Sequence, residues 1–266
     1  MEEEDIVIEM EEKSAEIFKP NDKGFFSLLG ESFKFFSLHL PAIATIVVPV
    51  FLVVEFLVPL LAIFIPDLAD GLTGFELIDD SLSWLIRELI LALLAAIIGG
   101  IAWIATIRVI ASSIRGEKLP PIQAMKDGTA MLPMFVVTAI LYYLLVSIGF
   151  ILLLIPGIIV GIYFIFWQFS YVLRGKGAFS ALTYSKDLVS GNFVRVFLNV
   201  AGIWIVMFIL NEFVIGLIAS NVANLIGEVD SVPYLIVNAI FTALGKVFEG
   251  VRIIFMLSLF KDLEKS

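Results

Sequence analysis

Residues 176–190 read KGAFSALTYSKDLVS, a polar, helix-patterned insert between two long apolar runs. The pattern returns at residues 23–37, KGFFSLLGESFKFFS, in register at Lys23/Lys176, Gly24/Gly177, Phe26/Phe179, Ser27/Ser180, Leu29/Leu182, Ser32/Ser185 and Ser37/Ser190. A shared need for amphipathicity explains matched apolar positions but not matched serines, so the two stretches read as copies of one unit. Each precedes a pair of apolar segments, and that sets the plan of the chain.

Composition places the plan in a membrane. Hydrophobic residues make up 60% of the 266, where a soluble domain holds about half, and the mean hydropathy is +1.04. There is no cysteine for disulfides or thiolate chemistry, and the lone histidine, His39, makes no multi-histidine metal site. The net charge of −9 is concentrated in the N-terminal tail and two loops, so no nucleic-acid partner is expected. The opening MEEEDIVIEMEEK is acidic where a secretory signal is basic, which predicts that no signal is cleaved.

Six apolar segments, at about 40–65, 84–111, 132–151, 154–173, 193–219 and 232–260, each approach the roughly 20 residues that cross a hydrocarbon core of about 30 Å. Between the third and fourth, residues 147–157 carry no charge, and Pro156-Gly157 is the turn signal for a tight hairpin. Cations set the orientation. Lys13, Lys19, Lys23 and Lys34, then Arg108, Arg115, Lys118 and Lys126, then Arg174, Lys176, Lys186 and Arg195, then Lys261 and Lys265 fall on one side. The other side holds Asp67, Asp70, Glu76, Asp79, Asp80, Glu228 and Asp230, with Arg87 the one dissenter. Both termini and every amphipathic insert are therefore expected on the cytoplasmic face of the cell membrane.

The fold class expected is all-α. An acidic cytoplasmic tail (residues 1–22) leads into a single six-span transmembrane domain (residues 23–265), in units of about 23–115, 116–175 and 176–265. Each unit is an interfacial helix followed by two spans, with Gly24, Phe26, Ser27 and Ser32 in the first such helix and Gly177, Phe179, Ser180 and Ser185 in the third. The middle insert, residues 117–128, matches only in position and character. Units that begin and end on one side are parallel repeats, which predicts a pseudo-threefold arrangement about the membrane normal.

The order Ile155-Pro156-Gly157-Ile158-Ile159-Val160-Gly161-Ile162-Tyr163, then Gly177-Ala178-Phe179-Ser180-Ala181-Leu182 with Ser185, then Ser190-Gly191-Asn192-Phe193-Val194-Arg195 resembles a family of membrane domains. That family is found fused to some glycerophosphoryl diester phosphodiesterases and has stand-alone prokaryotic relatives of uncharacterised function. The resemblance covers about residues 154–196. In the fused relatives catalysis belongs to a separate soluble barrel, for which this chain has no room. The resemblance therefore implies a membrane domain and transfers no phosphodiesterase activity.

The candidate functional residues are charges inside the apolar segments, because an ionisable group in hydrocarbon demands a reason. Lys246, Glu249 and Arg252 lie three apart on one helix face. With Glu55, or with Glu212, they form either a proton, ion or head-group site or a self-neutralising ladder whose long side chains reach for the interface. Arg108, Gln168 and Arg252, one near the cytoplasmic end of each unit, are candidate contacts for a lipid head group, or else boundary anchors. Gly157-x-x-x-Gly161 offers close helix approach.

No catalytic residue, nucleophile elbow, phosphate loop, metal site or cofactor motif is found. The function expected is that of a non-enzymatic integral membrane protein that organises or binds lipid, or docks a protein partner at the cytoplasmic face. The alternative is a transporter or channel that uses the charged stripe.

Overall fold

The computed structural model describes residues 24–57, 80–226 and 231–264, and those residues form an all-helical structure. The acidic tail, Lys23, the acidic loop from Pro66 to Asp79, and Glu228 and Asp230 lie outside the described residues.

Helix α1 (Phe25–Leu52) runs on into a π-helical turn, Val53–Leu57. Helix α2 is Asp80–Ile114, and α3 is Pro121–Leu152, opened by Pro120-Pro121 at the position where a missing N–H costs nothing. Next come α4 (Leu154–Tyr163), α5 (Trp167–Arg174) and the short α6 (Phe179–Val189). Helix α7 (Phe193–Phe208) continues through a second π-helical turn, Ile209–Gly216, into α8 (Leu217–Ile226). The last helix, α9 (Val232–Leu263), starts at Ser231, whose hydroxyl accepts from the Tyr234 N–H at 3.4 Å.

Among the described residues, five stretches are long and apolar enough to cross a membrane, which marks a multi-pass membrane protein: Phe25–Phe56, Ile90–Ile114, Pro121–Leu152, Leu154–Arg174 and Phe193–Val222. Helix α9, expected as a sixth span, is not among them. It is as long as α3 at 32 residues, yet residues 253–257 are buried without interruption. Five consecutive buried positions go round the whole helix, so this part of α9 is enclosed by its neighbours. Over its whole length α9 packs against α1, both π turns, α7, α8, α2 and α6. The fold is thus arranged around α9, and the polar insert at 176–190 lies at its edge.

Helix α1 packs against α9. Phe25 meets the Phe255 ring at 5.4 Å, and a Cβ at Gly250 would come within 3.0 Å of Phe36 and 3.3 Å of Ile43.

The three inserts differ. The first is continuous with the span that follows it, and the helix passes through Pro41 and Pro49 without a break. The second is likewise the opening of α3. Only the third is a separate helix, bounded by Gly175 at φ 62°, Ala178 at φ 50° and Gly191 at φ 89°. Left-handed backbone at both ends detaches it from its neighbours.

The α3–α4 hairpin turns at Leu153, in extended backbone, three residues before the Pro156-Gly157 signal. Gly157 serves the turn by its size: a Cβ there would lie 2.5 Å from Cγ of Phe150, and one at Gly149 would lie 2.8 Å from the Gly157 Cα. Gly161 meets nothing closer than 3.9 Å, so only the first glycine of the motif marks close packing.

Candidate functional site

The charged stripe of α9 sits between the two π turns, both of which pack against it. A π turn widens the hydrogen-bond ladder and is found disproportionately at functional positions. Each of these two contains a carboxylate, Glu55 in one and Glu212 in the other. The signal in the sequence was the isolated acid within an apolar run, although nothing in the spacing announced the π geometry.

Within the stripe, Glu249 pairs through Oε2 with Nε of Arg252, three residues on. Its Oε1 lies 3.5 Å from the Nδ2 donor of Asn211 in the second π turn. Lys246 sits 5.7 Å from the centre of the Phe51 ring, and Glu55 feels its charge. The ladder is therefore only partly self-neutralising: Arg252 and Glu249 pair, while Lys246 forms no ion pair within the described residues.

Arg252 also lies over two indole rings, 4.8 Å from Trp103 and 5.8 Å from Trp204. The Trp103 Nε1 donates to Gln168 Oε1 at 2.7 Å. Trp103 thus joins two of the three residues expected to contact a head group. Together with Tyr142, Tyr143 and Trp204 they line a cleft of about 380 Å³. Trp103 and Trp204 were missed in the sequence because an aromatic residue at helical spacing looks like core.

The third expected contact, Arg108, is elsewhere. Five positions along α2 from Trp103, it faces about 140° away at 100° per residue. There its Nη2 donates to Asp127 at 2.7 Å and its Nη1 approaches Met131 Sδ at 3.7 Å, while its buried Nε has no partner among the described residues.

Three cavities follow α9 and share residues. The aromatic cleft shares Trp103, Arg252 and Ile253 with a smaller cavity of about 140 Å³. That one shares Lys246 and Glu249 with a polar cavity of about 410 Å³ between α9 and the second π turn. Among the described residues, no group of three His, Cys, Asp or Glu side chains could hold a metal.

The repeat serines occupy distinct settings. Ser185 is buried, donates to the Tyr163 carbonyl at 3.0 Å and accepts from the Phe166 N–H at 3.0 Å. Those two groups flank the break between α4 and α5, where no helix serves them. Ser32 is also buried but donates to the Leu28 carbonyl of its own helix at 2.6 Å. Ser180 donates to the Gly177 carbonyl at 2.7 Å, while Phe26 and Phe179 stand outward, 84% and 64% exposed. Gly24 and Ser27 are exposed at the start of α1.

At the end of the bundle where α9 stops, Glu264 accepts from Arg174 Nε at 2.8 Å and from the Tyr184 hydroxyl at 2.5 Å. Arg195 pairs with Asp262 beside it. Burial alone would raise the Glu264 carboxyl, but the hydrogen bonds from Arg174 and Tyr184 and the charges of Arg174 and Lys261 outweigh it and hold it below the ordinary range. For Tyr184, burial first and then the bond to Glu264 push the phenol up.

Compared with family models, curated proteins and solved structures, the chain finds no match.

Proposed function

We propose that this is a non-enzymatic integral membrane protein that binds an anionic lipid head group in the aromatic cleft around Arg252. One observation carries the reading: a guanidinium lines a cleft together with aromatic side chains that are themselves exposed on the outer surface of the helices. Tyr143 and Trp204 on the rim are 61% and 58% exposed, and their helical neighbours Ile140, Leu144, Ile205 and Phe208 are exposed as well. In a membrane protein such a surface meets acyl chains, so a lipid can offer its head to Arg252 while its tails stay in hydrocarbon. Glu249 engages only Nε of the guanidinium, and an arginine fork has further N–H donors for a phosphate. Gln168 and the two tyrosine hydroxyls add neutral polar groups. The family resemblance of residues 154–196 accords with a membrane domain that has no reaction of its own.

The test is lipid retention by purified protein, read by native mass spectrometry after exchange into mixed phosphatidylglycerol and phosphatidylcholine. The native chain keeps phosphatidylglycerol preferentially. The neutral pair Glu249→Gln with Arg252→Gln, which strands no charge, loses at least tenfold of that preference. Equal retention by both proteins would sink the proposal.

A second reading, passage of a solute along α9, is favoured by the sharing of stripe residues among the three cavities. The absence of native cysteine lets one thiol report. Ala243 is buried, whereas Thr242 lines the polar cavity, so the thiol belongs at Thr242. Labelling by an impermeant maleimide from both sides of sealed vesicles supports passage; silence from either side removes it.

A further inference from the structure

The polar cavity on the other side of α9 holds two opposite charges that do not pair. Glu212 comes from the second π turn and Lys246 from α9; they share the cavity of about 410 Å³ with Asn211, Asn238, Thr242 and Glu249. Within the described residues neither Glu212 nor Lys246 forms a salt bridge: Glu55 acts on Lys246 only at longer range, and Glu249, the other carboxylate in the lining, is committed to Arg252. Charges in an apolar helix persist where they have a use.

Two further details concern the polar lining. A Cβ at Gly245 would lie 2.9 Å from the side-chain Oδ1 of Asn211, so glycine there lets the π turn close on α9 with the Asn211 amide at the cavity. Thr45, Thr106, Thr129, Thr138 and Thr183 all donate to the carbonyl four residues back in their own helices. Thr242 makes no such bond among the described residues and lines the cavity instead.

From this we infer that the cavity binds a small zwitterion, its oxyanion at Lys246, its ammonium at Glu212, and Thr242, Asn238 and Asn211 bonding the atoms between. A single-charged ligand would satisfy one group and leave the other. Two sources have this chemistry: a free amino acid, or an ethanolamine phosphate head group entering between the exposed Phe213 and Leu217 of the π turn and α8 and the exposed Ile240 of α9. The site is separate from the Arg252 cleft, and its test touches neither Arg252 nor Glu249.

The experiment is thermal unfolding of the purified protein in detergent, at fixed ionic strength, with four additives in turn: glycerophosphoethanolamine, serine, ethanolamine and glycerol phosphate. A rise in Tm of several degrees with glycerophosphoethanolamine or serine, exceeding the sum of the rises with ethanolamine and glycerol phosphate, is expected. Which of the two zwitterions acts identifies the source. Glu212→Gln lies at an exposed position and keeps the fold; it should abolish the rise, and Lys246→Met should do the same. The inference is overturned if the single-charged compounds do as well together, or if the rise survives in Glu212→Gln.

Discussion

The first and third inserts have nearly the same burial pattern and do different work. From Phe25/Ala178 to Ser37/Ser190 they differ in burial only at Leu29/Leu182 and Phe35/Leu188. Yet one is the opening of a continuous 28-residue helix and the other a free-standing helix of 11. A repeated pattern of apolar and small polar residues specifies which face is turned inward. What that face meets is decided by partners far away in sequence, and it is there that the two copies part.

The sharpest way to break the likeness is at the matched serines. Ser185→Ala leaves the Tyr163 carbonyl and the Phe166 N–H without a partner in a buried place, at a cost of about 1–3 kcal/mol. Ser32→Ala removes a bond to a carbonyl within its own helix and costs under about 1 kcal/mol. Chemical unfolding of both variants in mild detergent measures the gap. Equal losses would mean that the serine bridge does not hold the α4–α5 break.

The next contrast is one of pH. The third insert is tied to the end of α9 through Tyr184 and Glu264, whereas the first insert has a carboxylate, Glu31, at the position matched to the Tyr184 phenol. The Glu264 carboxyl is held low in the folded protein. Its contribution is therefore complete above the ordinary glutamate value, about 4.3, and is lost as pH falls through the lowered folded value. Proteolysis or hydrogen exchange of α6 should rise at acid pH in the native chain. In Glu264→Gln the protection at neutral pH should already be reduced and should respond less to acid; an unchanged acid response would place the titrating group elsewhere.

A smaller contrast lies at the glycines. A Cβ at Gly177 would meet Met134 Cγ at 2.8 Å, and at Gly24 nothing within 4 Å. Gly177→Ala should cost about 1 kcal/mol as the methionine moves aside, and Gly24→Ala should leave Tm where it was. Matching losses would show that the Met134 contact is not formed.

How far the sequence carried follows from these particulars. Helicity and membrane-spanning character were legible because they depend on local apolar periodicity and on the length of the apolar runs. The stripe of Lys246, Glu249 and Arg252 was legible because three-residue spacing fixes a face whatever surrounds it. The grouping of Arg108 with Gln168 and Arg252 failed because it counted one residue per unit and ignored helical phase, which turns Arg108 toward Asp127. The break at residues 164–166 was hidden because its stabilising group, Ser185, lies 19 residues beyond Phe166. The enclosure of residues 253–257 of α9 was hidden for a related reason: it is made by helices far away in sequence.

What the two copies still have in common is Phe26 and Phe179, the exposed aromatic that each presents one position before its first small polar residue. If the repeat persists because both inserts must face lipid, these two positions share an environment although their helices do not share a partner. A single thiol at either position, Phe26→Cys or Phe179→Cys, labelled with an environment-sensitive fluorophore in reconstituted vesicles, should emit at similar wavelengths and be quenched alike by brominated lipid. The expected difference is the smallest of the series, close to none. A label at 179 that reports water while the one at 26 reports lipid would separate the copies in function as well as in structure, and would leave the matched serines as the product of packing alone.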